Sequence, residues 1–210
     1  MGVQMLENRE KRACMQFDGT LRLGGMEYAY VRGDQRIVFI KVGLGGDCFG
    51  EEHKYLRMSC MLHKQCGCSV IVASNPIEGK SHVDADAQAI AQFTADHGIS
   101  NPELYLFGNS NGCVKGLALA SKAEFVRMVL VNMPLMIDFH KTKRYIAAVP
   151  QTEIVAVYGD LDPSVSYIPF LEGRFANLRV RIVAGADHNF RGMTQEFTEL
   201  SRELIQESDI

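Results

Sequence analysis

Residues 104–120 read LYLFGNSNGCVKGLALA. Leu104–Phe107 is apolar and aromatic, Gly108-Asn109-Ser110-Asn111-Gly112 follows, and then comes a helical stretch of small and apolar residues. The order is strand, sharp turn, helix. A reversal this tight lifts the Ser110 hydroxyl above the end of a sheet, and it needs small neighbours because strand and helix backbones approach closely. Gly108 and Gly112 meet that need, while Gly116 and Ala118 keep the helix slim. A Gly-x-Ser-x-Gly string alone is weak, and a βα turn carrying an ordinary serine is the plain alternative. The surroundings have to decide.

Outward from this stretch, strand and helix patterns alternate. Strands are expected at Arg36–Val42, Cys68–Ala73, Leu104–Phe107, Val126–Val131, Glu153–Tyr158 and Leu178–Val183. Helices are expected over Glu51–Gln65, Asp84–His97, Cys113–Phe125, Asp138–Ala148 and Gln195–Gln206, with a weak helical piece at Leu171–Phe175. Two further strand signals, Ala13–Phe17 and Glu27–Val31, are separated by turn residues at Asp18-Gly19-Thr20 and Gly24-Gly25 and read as a hairpin. The expected fold is a three-layer α/β/α sandwich. Its mostly parallel sheet has about eight strands, with an N-terminal antiparallel hairpin. Residues 1–210 read as one domain.

Composition removes several classes. Hydrophobic residues make up 47% and charged residues 22%, which suits a globular chain. Lys plus Arg total 22 against 25 Asp plus Glu, for a formal net charge of -3. No basic field gathers phosphates, so no nucleic acid partner is expected; Arg9–Arg12 and Lys141–Arg144 read as solvated faces. No run of 18 apolar residues occurs, so no membrane partner is expected. The charged start MGVQMLENREKR argues against a signal peptide, and Leu6 breaks the myristoylation pattern after Gly2. The six cysteines, at 14, 48, 60, 66, 68 and 113, lack metal-ligand spacing and suit a reduced, cytoplasmic protein.

With strands, turn and helices laid out, the chain resembles the α/β-hydrolase superfamily, as a small serine hydrolase with little or no lid. The resemblance runs from about Ile37 to the C-terminus, and the hairpin fits the same fold. It implies the chain order Ser, Asp or Glu, His. Ser110 is the implied nucleophile. His188, in Gly185-Ala186-Asp187-His188, is the implied base; a serine hydroxyl attacks well only as its proton is removed.

The implied acid is Asp162, because Gly159, Asp162 and Val165 match the Gly-x-x-Asp-x-x-Val pattern. Asp160 is the alternative, with loop capping as its other reading. Asp138 is a weaker candidate and Asp187 reads as a loop residue. The implied oxyanion hole uses the amides of Asn111 and Leu44, the latter in Val42-Gly43-Leu44-Gly45-Gly46. This loop departs from the His-Gly-x-Gly-Gly form, since Val42 stands where the histidine usually is.

The short segment between Val131 and Glu153 leaves little room for a lid. Gly43, Gly45, Met133, Leu135 and Met136 are therefore expected to border an open pocket, with Pro134 and Ile137 beside them; core is the alternative reading of residues 133–137. The expected partner is a small-molecule acyl ester or thioester, with no cofactor and no metal. Two motifs fail. Gly79-Lys80-Ser81 lacks the first P-loop glycine, since Ser74 stands there, and the Gly43–Gly46 run does not complete a dinucleotide fingerprint because Cys48 is not glycine. The rivals are a non-catalytic binding protein of the same fold, and a nucleotide-binding doubly wound domain. The first requires the imidazole and the Ser110 hydroxyl to be out of hydrogen-bond reach, or the amide hole to be collapsed. The second requires a phosphate-holding pocket at a glycine loop, with Ser110 remote from His188.

Overall fold

The structure is a computed structural model and describes residues 16–77 and 82–205. Gly2, Arg9–Arg12, Cys14, most of the expected strand Ala13–Phe17, the Gly79-Lys80-Ser81 triplet and Gln206 lie outside the described residues.

The strands are β1 (Gly19–Leu23), β2 (Met26–Val31), β3 (Arg36–Lys41), β4 (Ser69–Ala73), β5 (Glu103–Asn109), β6 (Phe125–Val131), β7 (Glu153–Gly159) and β8 (Leu178–Val183). They form one eight-stranded sheet in the order β1-β2-β4-β3-β5-β6-β7-β8. From β4 to β8 all neighbours are parallel, whereas β1 pairs with β2 and β2 with β4 in antiparallel fashion. The helices are α1 (Lys54–Cys66), α2 (Val83–Asp96), α3 (Asn111–Leu119), α4 (Leu135–Ala147) and α5 (Thr194–Glu199).

Helices cover both faces, and side-chain alternation assigns the strand residues to them. Ile37, Phe39, Leu106, Leu130 and Ala156 face α2, α3 and α4. Val38, Ile40, Phe107, Val129 and Val155 face α1 and the C-terminal helical segment, through Met58, Leu62, Phe197 and Leu200. Strands buried on both sides carry continuous apolar runs, which is why β3 to β7 are legible in the sequence.

The hairpin differs from the expectation. Its first strand lies at Gly19–Leu23, and the reversal uses Gly24 and Gly25, both with positive φ. Two such residues between paired Leu23 and Met26 match the twist that favours tight hairpin turns. β1 is an edge strand with no fully buried residue, so its apolar signal is faint.

Helix limits shift too. α3 stops at Leu119 and Phe125 opens β6, whereas one helix was expected from Cys113 to Phe125. α4 begins at Leu135, directly after Pro134, three residues before the expected start. The expected helical piece at Leu171–Phe175 gives way to a 3-10 segment over Pro163–Phe170, opened by Asp162 and Pro163. The closing helix is short and continues as a 3-10 segment over Leu200–Leu204.

Parallel strands end on one edge. The turns after Lys41, Asn109, Val131, Gly159 and Val183 therefore meet there, where ligands bind in sheets of this kind.

Candidate active site

Ser110 sits between β5 and α3 with φ 52° and ψ -125°. L-residues occupy this region at a cost of about 1–3 kcal/mol, and only when the surroundings impose it. Here the imposition is steric and polar. A Cβ on Gly112 would stand 2.2 Å from the Lys41 carbonyl oxygen, and one on Gly108 would stand 2.8 Å from the Cys113 Cα. The Ser110 amide donates to the Val131 carbonyl at 2.8 Å, and the Cys113 amide to the Ser110 carbonyl at 3.0 Å.

The His188 loop follows β8. Ser110 Oγ lies 2.9 Å from His188 Nε2, and His188 Nδ1 lies 2.5 Å from Asp162 Oδ2. The other carboxylate oxygen, Asp162 Oδ1, accepts the Ser164 amide at 2.7 Å, so both oxygens are engaged. Asp162 is buried at 3% exposure while the His188 side chain is 38% exposed. With Asp162 accepting at Nδ1, Nε2 is left to take the Ser110 proton. The Asp162 hydrogen bond raises the His188 pKa above the ordinary imidazole value; partial burial and the Lys54 charge work against it.

The alternative acids are elsewhere engaged. Asp160 Oδ1 accepts the Gly185 amide at 2.7 Å, bracing the start of the histidine loop. Asp187 Oδ1 accepts the Asn189 and Arg191 amides. Asp138 lies in the first turn of α4. Gly159 is required by contact, because a Cβ there would meet the Ala186 carbonyl oxygen at 2.1 Å.

The loop after β3 approaches Ser110 through Gly43, whose added Cβ would stand 3.5 Å from Ser110 Cβ. Gly45 takes φ 77°, donating its amide to the Asn75 carbonyl at 2.6 Å, and the Gly46 amide donates to the Gly43 carbonyl at 3.0 Å. Among the described residues the Leu44 amide has no acceptor, and neither has that of Asn111 at the first turn of α3. One of these donors follows Ser110 in the chain and the other follows Gly43, which lies against Ser110. N–H groups that converge on a reacting carbonyl oxygen are the kind that stabilise a developing oxyanion.

The expected pocket wall needs correction. Met133, just before α4, and Leu135, its first residue, are fully buried in the core, so neither offers surface to a ligand. Of the expected residues Met136 and Ile137 are more than half exposed on this edge, and Leu44, Ile77 and Leu161 add apolar surface to it.

Sequence reading missed the polar brackets of the site. Asn132 follows β6 with φ 50° and is buried. Its Nδ2 donates to the Asp187 and His188 carbonyls at 3.1 and 2.9 Å, and its Oδ1 accepts the Gly159 amide at 2.9 Å. Asn109 Nδ2 donates to the Tyr55 hydroxyl at 3.1 Å. The available signal was an asparagine at or just past the end of a buried apolar strand, as in Val131-Asn132 and Ala73-Ser74-Asn75.

A second buried polar cluster escaped as well. Lys41 Nζ lies 3.0 Å from both Asp86 carboxylate oxygens, and the Tyr28 hydroxyl donates to Asp86 Oδ1 at 3.0 Å. Burial disfavours both ionised forms, and each partner's charge opposes that.

Among the described residues no three His, Cys, Asp or Glu side chains are grouped to hold a metal ion, and no helix is long and apolar enough to cross a membrane. The nucleotide-binding rival needs Ser110 remote from His188, and the non-catalytic one needs them out of hydrogen-bond reach or a collapsed amide hole; here Ser110 and His188 are in hydrogen-bond contact.

No protein-family model matches the sequence, and no curated protein matches it. Solved structures do. An α/β serine hydrolase homologue from Coxiella burnetii superposes with a TM-score of 0.68 at 16% identity, covering 90% of this chain and 98% of that one. An α/β serine hydrolase without a lid from Xanthomonas campestris gives 0.63 at 19% identity, covering 90% and 96%. Dienelactone hydrolase from Anabaena variabilis gives 0.65 at 14% identity, covering 90% and 97%.

Proposed function

The chain has the α/β-hydrolase fold, and on that fold we propose that it is a serine hydrolase. Its substrate is a small to medium carboxylic ester or thioester, cleaved through an acyl-enzyme on Ser110. The observation that carries this reading is the continuous contact from Ser110 Oγ through His188 to buried Asp162. The Leu44 and Asn111 amides, unpaired among the described residues, support it as well.

Each step uses these groups. Ser110 Oγ attacks the acyl carbon as its proton passes to His188 Nε2, giving a tetrahedral oxyanion held by the two amides. Asp162 holds the imidazole in the tautomer that can accept and stabilises the imidazolium. Collapse expels the alcohol or thiol, which takes the proton from His188. Water then attacks the acyl-serine, His188 accepts its proton, and the second collapse returns that proton to Ser110 and frees the acid.

Substrate class follows from the rim. Leu44, Ile77, Met136, Ile137 and Leu161 offer apolar surface on the edge where Ser110 lies, which suits the acyl chain of a small-molecule ester. Cys48, Cys66, Cys68 and Cys113 are free thiols, which supports a reducing, cytoplasmic location.

The deciding experiment is intact-protein mass after a fluorophosphonate probe, run beside Ser110→Ala. One adduct on the wild type, absent from the variant, is expected, with turnover of short-chain esters or thioesters lost in parallel. Folded wild-type protein that takes no adduct at Ser110 would overturn the reading in favour of a binding protein.

A further inference from the structure

The turn after β4 lies across the loop that carries the Leu44 amide. Asn75, 1% exposed, hydrogen-bonds to that loop, and Ile77 lies against Gly45. Its carbonyl accepts the Gly45 amide at 2.6 Å and its amide donates to the Gly46 carbonyl at 2.9 Å. Its Nδ2 donates to the Val42 carbonyl at 3.0 Å and to Asn111 Oδ1 at 3.2 Å. One residue thus grips the chain on both sides of Leu44 and also the side chain of Asn111. Those are the two residues whose free amides flank Ser110.

The orientation of both amide groups follows from chemistry. The Val42 carbonyl can only accept, so the Asn75 atom facing it is nitrogen, and the Asn111 atom facing that nitrogen must be oxygen. Among the described residues Asn75 Oδ1 is buried without a partner, so the side-chain hydrogen bonds made there are those of its nitrogen.

Asn75 is itself fixed from behind. The Ser74 amide donates to the Glu27 carbonyl at 2.9 Å, and Ser74 Oγ accepts the Glu27 amide at 2.9 Å. Lys41 Nζ donates to the Ser74 carbonyl at 3.1 Å. Val42, where the family the chain resembles usually has histidine, is buried and has no polar side-chain atom with which to hold the loop.

We infer that Asn75 is the positioning residue of the oxyanion hole, tying the Leu44 and Asn111 amides into one rigid unit through its side-chain nitrogen. The inference rests on the proposed serine-hydrolase reading. Removing the nitrogen leaves both amides in the chain but lets them drift, which weakens transition-state stabilisation more than ground-state binding.

Asn75→Ala keeps the main-chain bonds to Gly45 and Gly46 and deletes only the side-chain grip. Active sites are titrated with the fluorophosphonate, and kcat per titrated site and KM are measured on p-nitrophenyl butyrate. Inhibition by a trifluoromethyl ketone, which forms a tetrahedral adduct on serine, is measured alongside. The expected result is kcat per site about 10–100-fold lower with KM within about twofold, and ketone inhibition weakened by the same factor. A merely structural role would reduce the number of titratable sites and leave turnover per site unchanged, and that result would overturn the inference.

Asn111→Ala, at a half-exposed position, breaks only the Asn75–Asn111 bond and serves if Asn75→Ala does not fold. Kcat per site several-fold lower at unchanged KM is expected, and an unchanged kcat would overturn the inference. Absence of a wild-type adduct at Ser110 would remove the serine-hydrolase reading and this inference with it. An intact wild-type adduct beside indifferent variants removes the inference alone.

Discussion

Asp162–His188 and Lys41–Asp86 are both a carboxylate set against a nitrogen base, and both lie toward the carboxyl-end edge of the sheet. In the first, only the acid is buried; the imidazole is 38% exposed and its second nitrogen faces Ser110 Oγ. In the second, both side chains are sealed, at 0% and 1% exposure, and the spare donors of Lys41 go to the Ser74 carbonyl. One pair can exchange a proton with a reacting group; the other can only hold strands β2 and β3, helix α2 and the Ser74 turn together. Access, more than the strength of pairing, separates a pair that can serve a reacting group from one that can only hold structure.

The comparison can be broken most decisively at Asp162. Asp162→Asn keeps an acceptor for the Ser164 amide but loses the charge that holds the imidazole tautomer. Kcat is expected to fall about 10⁴-fold, with little change in melting temperature. A loss under tenfold would mean that another group orients His188.

The converse change is Lys41→Met, which leaves the Asp86 carboxylate buried and unpaired. A destabilisation of about 3–5 kcal/mol is expected in urea unfolding, with Lys41→Met/Asp86→Leu recovering roughly half. Equal stability of the single variant and the wild type would show that water reaches the pair.

Asn132→Ala sharpens the contrast at the histidine loop, freeing the Asp187 and His188 carbonyls and the Gly159 amide. A stability loss of about 1–3 kcal/mol is expected by thermal unfolding, with kcat about tenfold lower.

The pH profile is subtler. His188 must be neutral to accept the serine proton, and Asp162 raises its pKa. The acid limb of kcat/KM therefore lies above about 6.5, and activity appears as pH rises through it. In Asp162→Asn the residual activity should show that limb moved down. The stability sign is opposite: a raised folded pKa contributes stability below the unfolded value, lost as pH rises through the folded one. The smallest effect belongs to the rim. Ile137→Ser should raise KM about two- to fivefold for longer acyl esters and leave kcat unchanged.

The legible part of the fold was the part buried on both faces. β3 to β7 announce themselves as apolar runs, and the turn at Gly108–Gly112 by its small residues. β1 carries no fully buried residue and was placed too early along the chain, among turn residues that the structure uses differently. At the site, Ser110, Asp162 and His188 were legible because each sits in a loop of constrained composition after a strand. Asn75 and Asn132 were not, because their work is done on main-chain atoms of distant residues, and carbonyls leave no trace in a sequence. Lys41 and Asp86 read as the polar end of a strand and the charged face of a helix; only their mutual burial changes that reading.

The sequence by itself determined the alternation of strands and helices, the sharp turn under Ser110 and the order of the reactive side chains, because periodicity and small-residue spacing are local properties. Only the tertiary structure decided that Asp162 and not Asp160 meets His188, that Met133 and Leu135 belong to the core, and that Asn75 clasps the loop beside the serine. The Asp162 and Asn75 outcomes depend on distances between residues 26 to 36 positions apart, and such distances are set by how the sheet brings its strand ends together.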